Sequence, residues 1–467
     1  MNKKKSESGF TGQLGFVLAA AGSAVGVGNI WRFPYLAAKD GGGLFILIYL
    51  ILVVTFGFTL LTSDIAIGRK TKQSSIKAYE TMKPGWGFLG KLTFLVPVLI
   101  MTYYAVIGGW ITRYILVYVT GMMHAAAGDT FFSDFITSTT SPVIYSLFFM
   151  LLTAWIIYRG VQDGIEKISR IVMPILLVMI IGIAVYAMTL SYTSNGATRT
   201  GLDGLRVYLT VDLSGMTVQK FLQVMLDAMS QLFFSLSVSM GIMITYGSYV
   251  KNDVNLGKAV TQIEVFDTVV ALLAGMMIIP SIYVFSGMAG MQAGPGLMFV
   301  SLPKVFDAMG TPGIFVGLAF FIMSAFAALT SCISVLEAIT ANCIQIFDKP
   351  RESVTKVLAV IYSIASVIVT LGYSIFYFDV TLPTGAHGQL LDVMDYISNS
   401  FLMPLISFLS AILIGWIVKP EWIIGEMERN GEKFRRKKLY AFMIKYIVPV
   451  IMMVLFLESA GFFNLIF

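Results

Sequence analysis

The sequence contains little charge, little cysteine and little histidine, and each shortage excludes a class of protein. Only 12% of the 467 residues are charged, about half of the roughly 25% found in soluble domains. Cys332 and Cys343 lie in one apolar segment and indicate no disulfide framework. His124 and His387 stand alone, and two isolated histidines make no metal site. With 57% hydrophobic residues, the chain is predicted to be a polytopic membrane protein rather than a soluble enzyme.

Two motifs are also missing. No G-x-x-x-x-G-K-[ST] loop for nucleotide phosphates occurs, so direct use of ATP is not supported. The start, MNKKKSESGF, is a short polar tail that runs into a long apolar segment, and we expect no cleavable signal peptide there. No long linker or low-complexity segment divides the chain, which predicts one membrane domain.

Eleven segments are near or above the roughly 20 apolar residues that a bilayer crossing requires. Their predicted bounds are 12–38, 42–68, 87–123, 142–158, 166–191, 217–250, 255–288, 310–346, 353–376, 387–418 and 438–462. An odd number of spans places the two ends of the chain on opposite sides of the membrane. The longer outer connection at 289–309 contains Gly294-Pro295-Gly296, and we interpret it as a hairpin that caps an outer vestibule.

The net charge of +6 indicates orientation rather than a nucleic-acid partner. Under this span assignment, 23 lysines and arginines fall on the side of the N-terminus, and only Arg199, Arg206, Lys220 and Lys304 fall in the opposite connections. Cytoplasmic loops carry the excess of positive charge. We therefore predict a plasma-membrane protein with the N-terminus in the cytoplasm and the C-terminus outside.

The first span contains several residues with low helix propensity. Its stretch 22–34, GSAVGVGNIWRFP, holds three glycines, an asparagine, an arginine and a proline. Glycine costs about 1 kcal/mol at an interior helical site, and Pro34 also removes a donor. Non-helical backbone at membrane depth survives only where it is buried in protein or lines a watery cavity. The span is therefore predicted to break here and to offer its freed carbonyls, its amides and Asn29 as ligands.

The sixth span has a second interruption, FFSLSVSMG at 233–241. Three serines at alternate positions do not share one helix face. The serine hydroxyl also competes with the helix for hydrogen bonds to the backbone. On its own this run fits helix-packing serines equally well. However, span 1 is the first of five spans, and span 6 is the first of the next five. Interrupted spans at corresponding places in two halves of a chain indicate a transporter site between inverted repeats.

The resulting domain plan has two repeats of five spans and an additional span. We expect a cytoplasmic tail (1–11), a first repeat (12–191), an outer loop (192–216), a second repeat (217–418), a basic cytoplasmic loop (419–437) and a last span with an outer C-terminus (438–467).

Several motifs together closely resemble the neurotransmitter:sodium symporter family. They are the stretch 22–34 with Gly41-Gly42-Gly43, Tyr103-Tyr104 in span 3, 233–241 in span 6, Leu329-Thr330-Ser331 in span 8 and Met394-Asp395-Tyr396 in span 10. The resemblance covers essentially the whole chain, and eleven spans are similar to a bacterial branch. It implies an all-α, LeuT-like 5+5 inverted repeat with discontinuous first and sixth spans plus an eleventh span.

The resemblance implies two sodium sites built mainly from neutral oxygens. The first site corresponds to Ala24, Asn29, Ser235 and Asp267. The second corresponds to the carbonyls of Gly22, Val25 and Ala327 and the hydroxyls of Thr330 and Ser331. From the residues alone, the two hydroxyls fit bonds within their own helix equally well, and Asp267 fits a solvated vestibule carboxylate.

The aspartate at position 267 is relevant to whether transport requires chloride. Many family members have an asparagine there, and their chloride-dependent relatives bind the anion at positions that correspond to Tyr49, Gln231 and Ser235. A charge at the membrane centre needs a cation or a proton as its partner. Because Asp267 supplies the negative charge itself, we expect no chloride requirement and expect Asp267 to take a proton on the empty return step.

The implied substrate site lies between the two breaks. Its residues are Ser23, Ala24, Val27, Gly28, Ile100, Tyr104, Phe234, Ser235, Ser237, Ser239, Met240, Ser331 and Val335. The substrate carboxylate would meet the freed amides at Val27 and Gly28, where positive helix-end dipoles favour it. Met240 replaces a common phenylalanine, and methionine adapts to large apolar partners.

The resemblance also implies gates at both ends of the site. Arg32 and Asp395 correspond to an outer gate, for which a purely structural salt bridge is the alternative. The cytoplasmic arginine of the family is absent, so Lys4 or Lys5 is expected to replace it, with Asp348 as a candidate partner. Gly164 and Pro174 form a Gly-x9-Pro element that either unwinds or simply starts a kinked helix.

We therefore predict a sodium-coupled symporter, not an enzyme, that imports a large hydrophobic or aromatic amino acid by alternating access with about two sodium ions. The alternatives are a carrier of another small zwitterion, such as a β- or γ-amino acid, and a channel. Expected partners are the amino acid, sodium ions and the lipid bilayer, with no nucleic acid, and we expect a monomer or a weak homodimer.

Overall fold

The computed structural model describes residues 9–194, 196–213, 215–383 and 385–462. Lys4 and Lys5, both predicted for the cytoplasmic gate, and the C-terminal Phe467 lie outside these residues. Within them, nine helical segments are long and apolar enough to cross a membrane, and a bent pair makes a tenth. The pair, Gln13–Ala24 with Val27–Lys39, is span 1.

The nine continuous spans keep the predicted order. Spans 2 to 5 are Gly43–Thr71, Gly87–Val119, Ser141–Tyr158 and Val161–Thr189, and spans 7 to 11 are Leu256–Ser286, Thr311–Phe347, Arg351–Leu371, Leu390–Ile417 and Lys437–Ser459. We call the two helices Val218–Ser235 and Ile242–Tyr249 span 6. The total of eleven crossings stays a prediction, because the helices on either side of residues 236–241 do not meet the criteria of length and apolarity as one span.

Five π-helical turns interrupt the continuous spans. They are Val53–Gly57 in span 2, Val161–Glu166 in span 5, Tyr396–Leu402 and Leu413–Ile417 in span 10, and Met443–Ile447 in span 11. The turn in span 5 contains Gly164 of the Gly-x9-Pro element, and Pro174 lies inside the helix that follows. The element is therefore helical in this structure.

The connections carry the remaining short elements. Helices are Ser75–Met82, Met123–Ala126, Phe131–Thr137, Gly201–Leu209, Leu302–Ala308 and Glu421–Met427, with a π turn at Leu297–Ser301 and 3-10 turns at Met288–Gly290 and Arg429–Gly431. Two antiparallel strand pairs are Ser191–Ser194 with Ala197–Thr200 and Val380–Thr381 with His387–Gly388. Ser191 is opposite Thr200 in the first pair. Thr381 is opposite His387 in the second.

The break in span 1 is narrower than predicted. It is confined to residues 25 and 26, where the two helices bend by 53°. Gly26 is extended, and its amide donates to Asn29 Oδ1 at 3.0 Å, which satisfies one free donor at the start of the outer helix. Pro34, expected to help break the span, instead lies inside the helix Val27–Lys39. Two extended residues, Val25 and Gly26, are therefore sufficient for the bend.

The break in span 6 is built from left-handed backbone. Ser237, Ser239 and Gly241 have φ of +52°, +61° and +76°, a left-handed region that residues other than glycine seldom adopt. The amide freed at Ser239 donates to Asp64 Oδ2 of span 2 at 2.8 Å. Asp64 is 4% exposed, so a buried carboxylate from a neighbouring span stabilises the non-helical segment.

Packing places both breaks inside the protein. The inner half of span 1 contacts spans 7 and 8, its outer half contacts spans 6 and 7, and the inner half of span 6 contacts span 2. Spans 3, 4, 8 and 9 form a second group of mutually packed helices. The two groups meet along spans 1, 3, 6 and 8, and the unwound segments lie at this boundary.

Candidate functional site

A small cavity, with about 40 Å³ of room for the centres of water-sized molecules, lies between the two breaks. We call it the central cavity. It is lined by residues from spans 1, 3, 6, 8 and 10. Eleven of the thirteen predicted substrate residues surround it: Ser23, Ala24, Gly28, Ile100, Tyr104, Phe234, Ser235, Ser237, Met240, Ser331 and Val335.

Val27 and Ser239 do not line the central cavity. Val27 is 1% exposed and packs in the core, although its backbone interacts with the Tyr104 hydroxyl. Ser239 points elsewhere, and its hydroxyl bonds to Ser407 of span 10. Its predicted role in side-chain specificity is therefore not supported by its position.

The structure adds lining residues that the sequence analysis did not predict as substrate contacts. Tyr103, Ile242 and Asn399 face the central cavity, together with Gly26 and Asn29. A side chain at Gly26 would approach the Ser331 and Tyr104 hydroxyls to 3.1 and 3.2 Å. Glycine there keeps the floor of the cavity open. Asn399 follows Asp395 by four residues on one helix, and this spacing was the signal that could have identified it.

The first predicted sodium cluster is brought together at the break of span 1. Asn29 Nδ2 donates to Ser235 Oγ at 3.0 Å and to Asp267 Oδ1 at 2.9 Å. Ser235 Oγ donates to Asp267 at 2.8 Å. Asn29 and Asp267 are both fully buried. Three spans therefore supply a carboxylate, a hydroxyl and an amide at one buried point, beside Ala24 in the cavity wall.

The second predicted cluster joins span 1 to span 8. Ser331 Oγ lies 3.2 Å from the Ser23 carbonyl oxygen and 3.4 Å from that of Val25. Thr330 Oγ1 donates to carbonyls of its own helix, with Ala327 O at 3.2 Å. A side chain at Gly22 would meet Thr330 at 3.1 Å. The Val25 and Ala327 carbonyls thus lie beside the two hydroxyls, and only Thr330 makes the bonds within its own helix that were the alternative.

The outer ends of the spans form a vestibule that contains the predicted gate residues. Arg32 and Asp395 both line it, and Gly294 and Pro295 of the outer hairpin cover it. Among the described residues no direct ion pair joins them: Arg32 Nη2 donates to Ser230 Oγ at 2.7 Å, and Asp395 accepts from Tyr103 and Asn399. The guanidinium lies 5.7 Å from the centre of the Phe234 ring. Phe234, Tyr103 and Asn399 separate the vestibule from the central cavity, since they line both.

The side of the site opposite the vestibule carries an ion pair that the sequence analysis missed. Glu337 of span 8 has a fully buried side chain, and Arg351 at the start of span 9 donates to its two oxygens at 2.6 and 2.7 Å. The Tyr249 hydroxyl at the end of span 6 donates to the same carboxylate at 2.6 Å. Spans 6, 8 and 9 are thus tied below the site by a bidentate pair, the strong geometry for arginine.

We expect Arg351→Gln to destabilise the protein by about 3 kcal/mol or more, because a buried carboxylate loses its cation. The measurement is the thermal unfolding midpoint of purified protein in detergent. Arg429→Gln is the matched control: its ion pair with Glu426 is longer, at 3.5 Å, and its side chain is 40% exposed, so a loss of about 1 kcal/mol or less is expected. Equal midpoints for the two variants would contradict the prediction.

Comparisons with known proteins agree over nearly the full length. A profile described as the Sodium:neurotransmitter symporter family matches residues 7–134 and 133–465. The uncharacterized sodium-dependent transporter YhdH of Bacillus subtilis is 31% identical over 96% of this chain and 97% of its own length. An uncharacterized sodium-dependent transporter of Haemophilus influenzae is 30% identical over 98% of this chain and 99% of its own. The crystal structure of MhsT in complex with L-phenylalanine is 35% identical, with a TM-score of 0.83 over 97% of this chain and 99% of that one.

Proposed function

Because the chain belongs to the sodium:neurotransmitter symporter family and is a sodium-dependent membrane transporter, we propose that it imports a large hydrophobic or aromatic amino acid. Its LeuT-like architecture is confirmed by the likeness to MhsT. The observation that carries the proposal is the central cavity, which lies between two non-helical breaks. Its wall includes Ala24, Asn29 and Ser235 of the first predicted sodium cluster and Ser331 of the second. The phenylalanine bound to MhsT supports the choice of substrate.

We assign the two ends of the amino acid to the two breaks. The outer helix of span 1 begins at Val27, and its positive end and free amides suit a carboxylate. Gly26 leaves space for that carboxylate beside Tyr104 and Ser331. The ammonium group would donate to carbonyls freed near Ala24 and in the break of span 6. The remaining walls, Ile100, Met240, Ile242 and Val335, are apolar and suit a large side chain.

The first sodium ion is proposed to bind at Asn29, Ser235 and Asp267 with the carbonyl of Ala24, next to the substrate carboxylate. A buried carboxylate needs a cation or a proton, and both are available during a transport cycle. Tyr49 and Gln231, which correspond to the anion pocket of chloride-dependent relatives, are also fully buried. With Asp267 as a fixed charge, we propose chloride-independent transport.

The second sodium ion is proposed to bind between spans 1 and 8, at Gly22, Val25, Ala327, Thr330 and Ser331. Two sodium ions moving down a tenfold gradient and ~100 mV release about 7 kcal/mol. At about 1.4 kcal/mol for each factor of ten, this concentrates a zwitterion about 10⁵-fold. The proposed stoichiometry is therefore sufficient for active uptake.

Alternating access is proposed to use the boundary between the two helix groups. The vestibule with Arg32 and Asp395 lies on one side of the central cavity, and the Glu337–Arg351 pair lies on the other. We propose a bacterial plasma-membrane location with the N-terminus in the cytoplasm, supported by the charge bias of the loops.

The proposal is tested by uptake of radiolabelled L-phenylalanine into proteoliposomes that contain the purified protein. We expect saturable accumulation with an inward sodium gradient, none with potassium, and a several-fold increase when the interior is made negative, since two positive charges enter. Protein-free vesicles are the control. Equal uptake in sodium and potassium would overturn sodium coupling, and accumulation of β- or γ-amino acids only would overturn the substrate class.

A further inference from the structure

Among the described residues, two side-chain atoms in the wall of the central cavity are buried without a hydrogen-bond partner, Ser23 Oγ and Asn399 Oδ1, and the second is on span 10. Asn399 of span 10 lines both the central cavity and the vestibule. Its side-chain oxygen, Oδ1, is buried and accepts no hydrogen bond from the described protein groups. Buried polar atoms almost always have a partner, so this oxygen indicates a donor that arrives from elsewhere.

The orientation of the Asn399 amide is determined by its neighbours. Nδ2 donates to Asp395 Oδ1 at 2.6 Å and to the Tyr103 hydroxyl at 2.9 Å. The Tyr103 hydroxyl donates in turn to Asp395 Oδ1 at 2.8 Å. An ionised carboxylate only accepts hydrogen bonds, and exchanging the two amide atoms would place two acceptors against each other. Oδ1 must therefore point away from Asp395.

No donor among the described residues is within hydrogen-bond distance of Asn399 Oδ1. Ile100, Met240, Ile242 and Val335 are apolar. The Ser237 and Ser331 hydroxyls are already used, because both donate to the Ser23 carbonyl, at 2.9 and 3.2 Å. An unpartnered acceptor beside these apolar walls matches a ring that has an apolar body and one polar group, as in the side chains of tryptophan and tyrosine.

We propose that Asn399 sets substrate preference: its Oδ1 accepts a hydrogen bond from the ring N–H or O–H of a bound aromatic amino acid, so that aromatic substrates with a ring donor bind more tightly than those without. This inference rests on the proposed function and narrows its substrate class. It assigns Asn399 a role separate from the predicted gate, in which only Asp395 and Arg32 take part.

The test compares two ligands of nearly the same shape, L-tryptophan and L-3-benzothienylalanine, in which sulfur replaces the indole N–H. Their dissociation constants are measured by competition against radiolabelled L-phenylalanine on purified full-length protein in sodium. A neutral hydrogen bond corresponds to about a tenfold difference in affinity, so we expect wild type to bind L-tryptophan about ten times more tightly. Equal binding by wild type would overturn the inference without any variant.

Asn399→Leu and Asn399→Ala then remove the acceptor. Damage to the Asp395–Tyr103 arrangement weakens the binding of both ligands by the same factor, whereas loss of the acceptor weakens the binding of L-tryptophan only. The ratio of the two dissociation constants therefore isolates the proposed hydrogen bond. We expect that ratio to fall from about ten to about one. Ser400→Ala, the next residue, which lines the vestibule only, is expected to keep the wild-type ratio.

The outcomes separate this inference from the proposed function. A tenfold preference that persists in both Asn399 variants overturns the role of Asn399 and leaves amino acid transport intact. Sodium-dependent binding of L-leucine without binding of any aromatic amino acid has the same effect. Absence of sodium-dependent binding of every amino acid would instead overturn the proposed function itself.

Discussion

Asn29→Ala is expected to reduce sodium-dependent uptake at least a hundredfold. The Asn29 amide caps the outer helix of span 1 through Gly26 and contacts Ser235 and Asp267. Its removal takes away one proposed sodium ligand and leaves a buried carboxylate with one partner fewer. A hundredfold loss corresponds to about 2.7 kcal/mol, which is comparable to the cost of leaving buried polar groups unsatisfied. The measurement is initial uptake rate as a function of sodium concentration.

A matched control is Asn342→Ala. Asn342 is also buried, at 1% exposure, but it ties span 8 to the short helix Ser75–Met82 by accepting from the Ile76 amide at 3.1 Å. Its loss is expected to lower the unfolding midpoint while the sodium concentration for half-maximal uptake stays unchanged. Asn29→Ala with full uptake and unchanged sodium dependence would contradict the first sodium site.

Asp267→Asn is expected to convert chloride-independent transport into transport that needs chloride. Wild-type uptake should be the same in sodium chloride and sodium gluconate, because the fixed carboxylate neutralises the bound cation. In the variant that charge is gone, and an anion beside Tyr49, Gln231 and Ser235 would have to replace it. We expect at least a tenfold higher rate in chloride than in gluconate, since an unpaired charge at membrane depth costs about 3 kcal/mol.

Glu264→Gln is the control for Asp267→Asn. Glu264 lies three residues earlier in span 7, is also buried, and pairs with Arg436 at 2.7 Å. Removing this carboxylate is expected to lower stability without creating a chloride requirement. Strong loss of wild-type uptake in gluconate would refute chloride independence. Equal uptake rates of the Asp267→Asn variant in chloride and in gluconate would refute the role of the carboxylate.

The positions of the breaks followed from residue chemistry, but their internal geometry did not. Glycines and serines in two otherwise apolar spans predicted where the helices would fail. The side on which each side chain of a broken segment lies depends on individual dihedrals. Ser239 therefore pointed toward Ser407 rather than into the cavity, and Pro34 continued a helix that it was expected to end.

Contacts that need three partners were the hardest to predict. The hydrogen bonds of Asn399 could be identified only once the structure placed Tyr103 and Asp395 beside it. The Glu337–Arg351 pair likewise depends on how spans 8 and 9 pack against Tyr249. Sequence motifs predicted residues that touch the ions and the ends of the substrate, whereas these two networks depend on how separate spans face each other. The sodium and substrate assignments themselves stay predictions until the variants are measured.

The π turn at Tyr396–Leu402 accommodates one more residue than a regular α-helical turn. A π turn closes i→i+5 bonds, so the additional residue is absorbed within the turn, and the flanking halves of span 10 keep nearly the same rotation about their common axis. Deleting a single residue within this turn would let the segment close with the i→i+4 bonds of an α-helix and leave Asp395 at the vestibule. Span 10 can therefore change its length by one residue without displacing the mouth of the transporter.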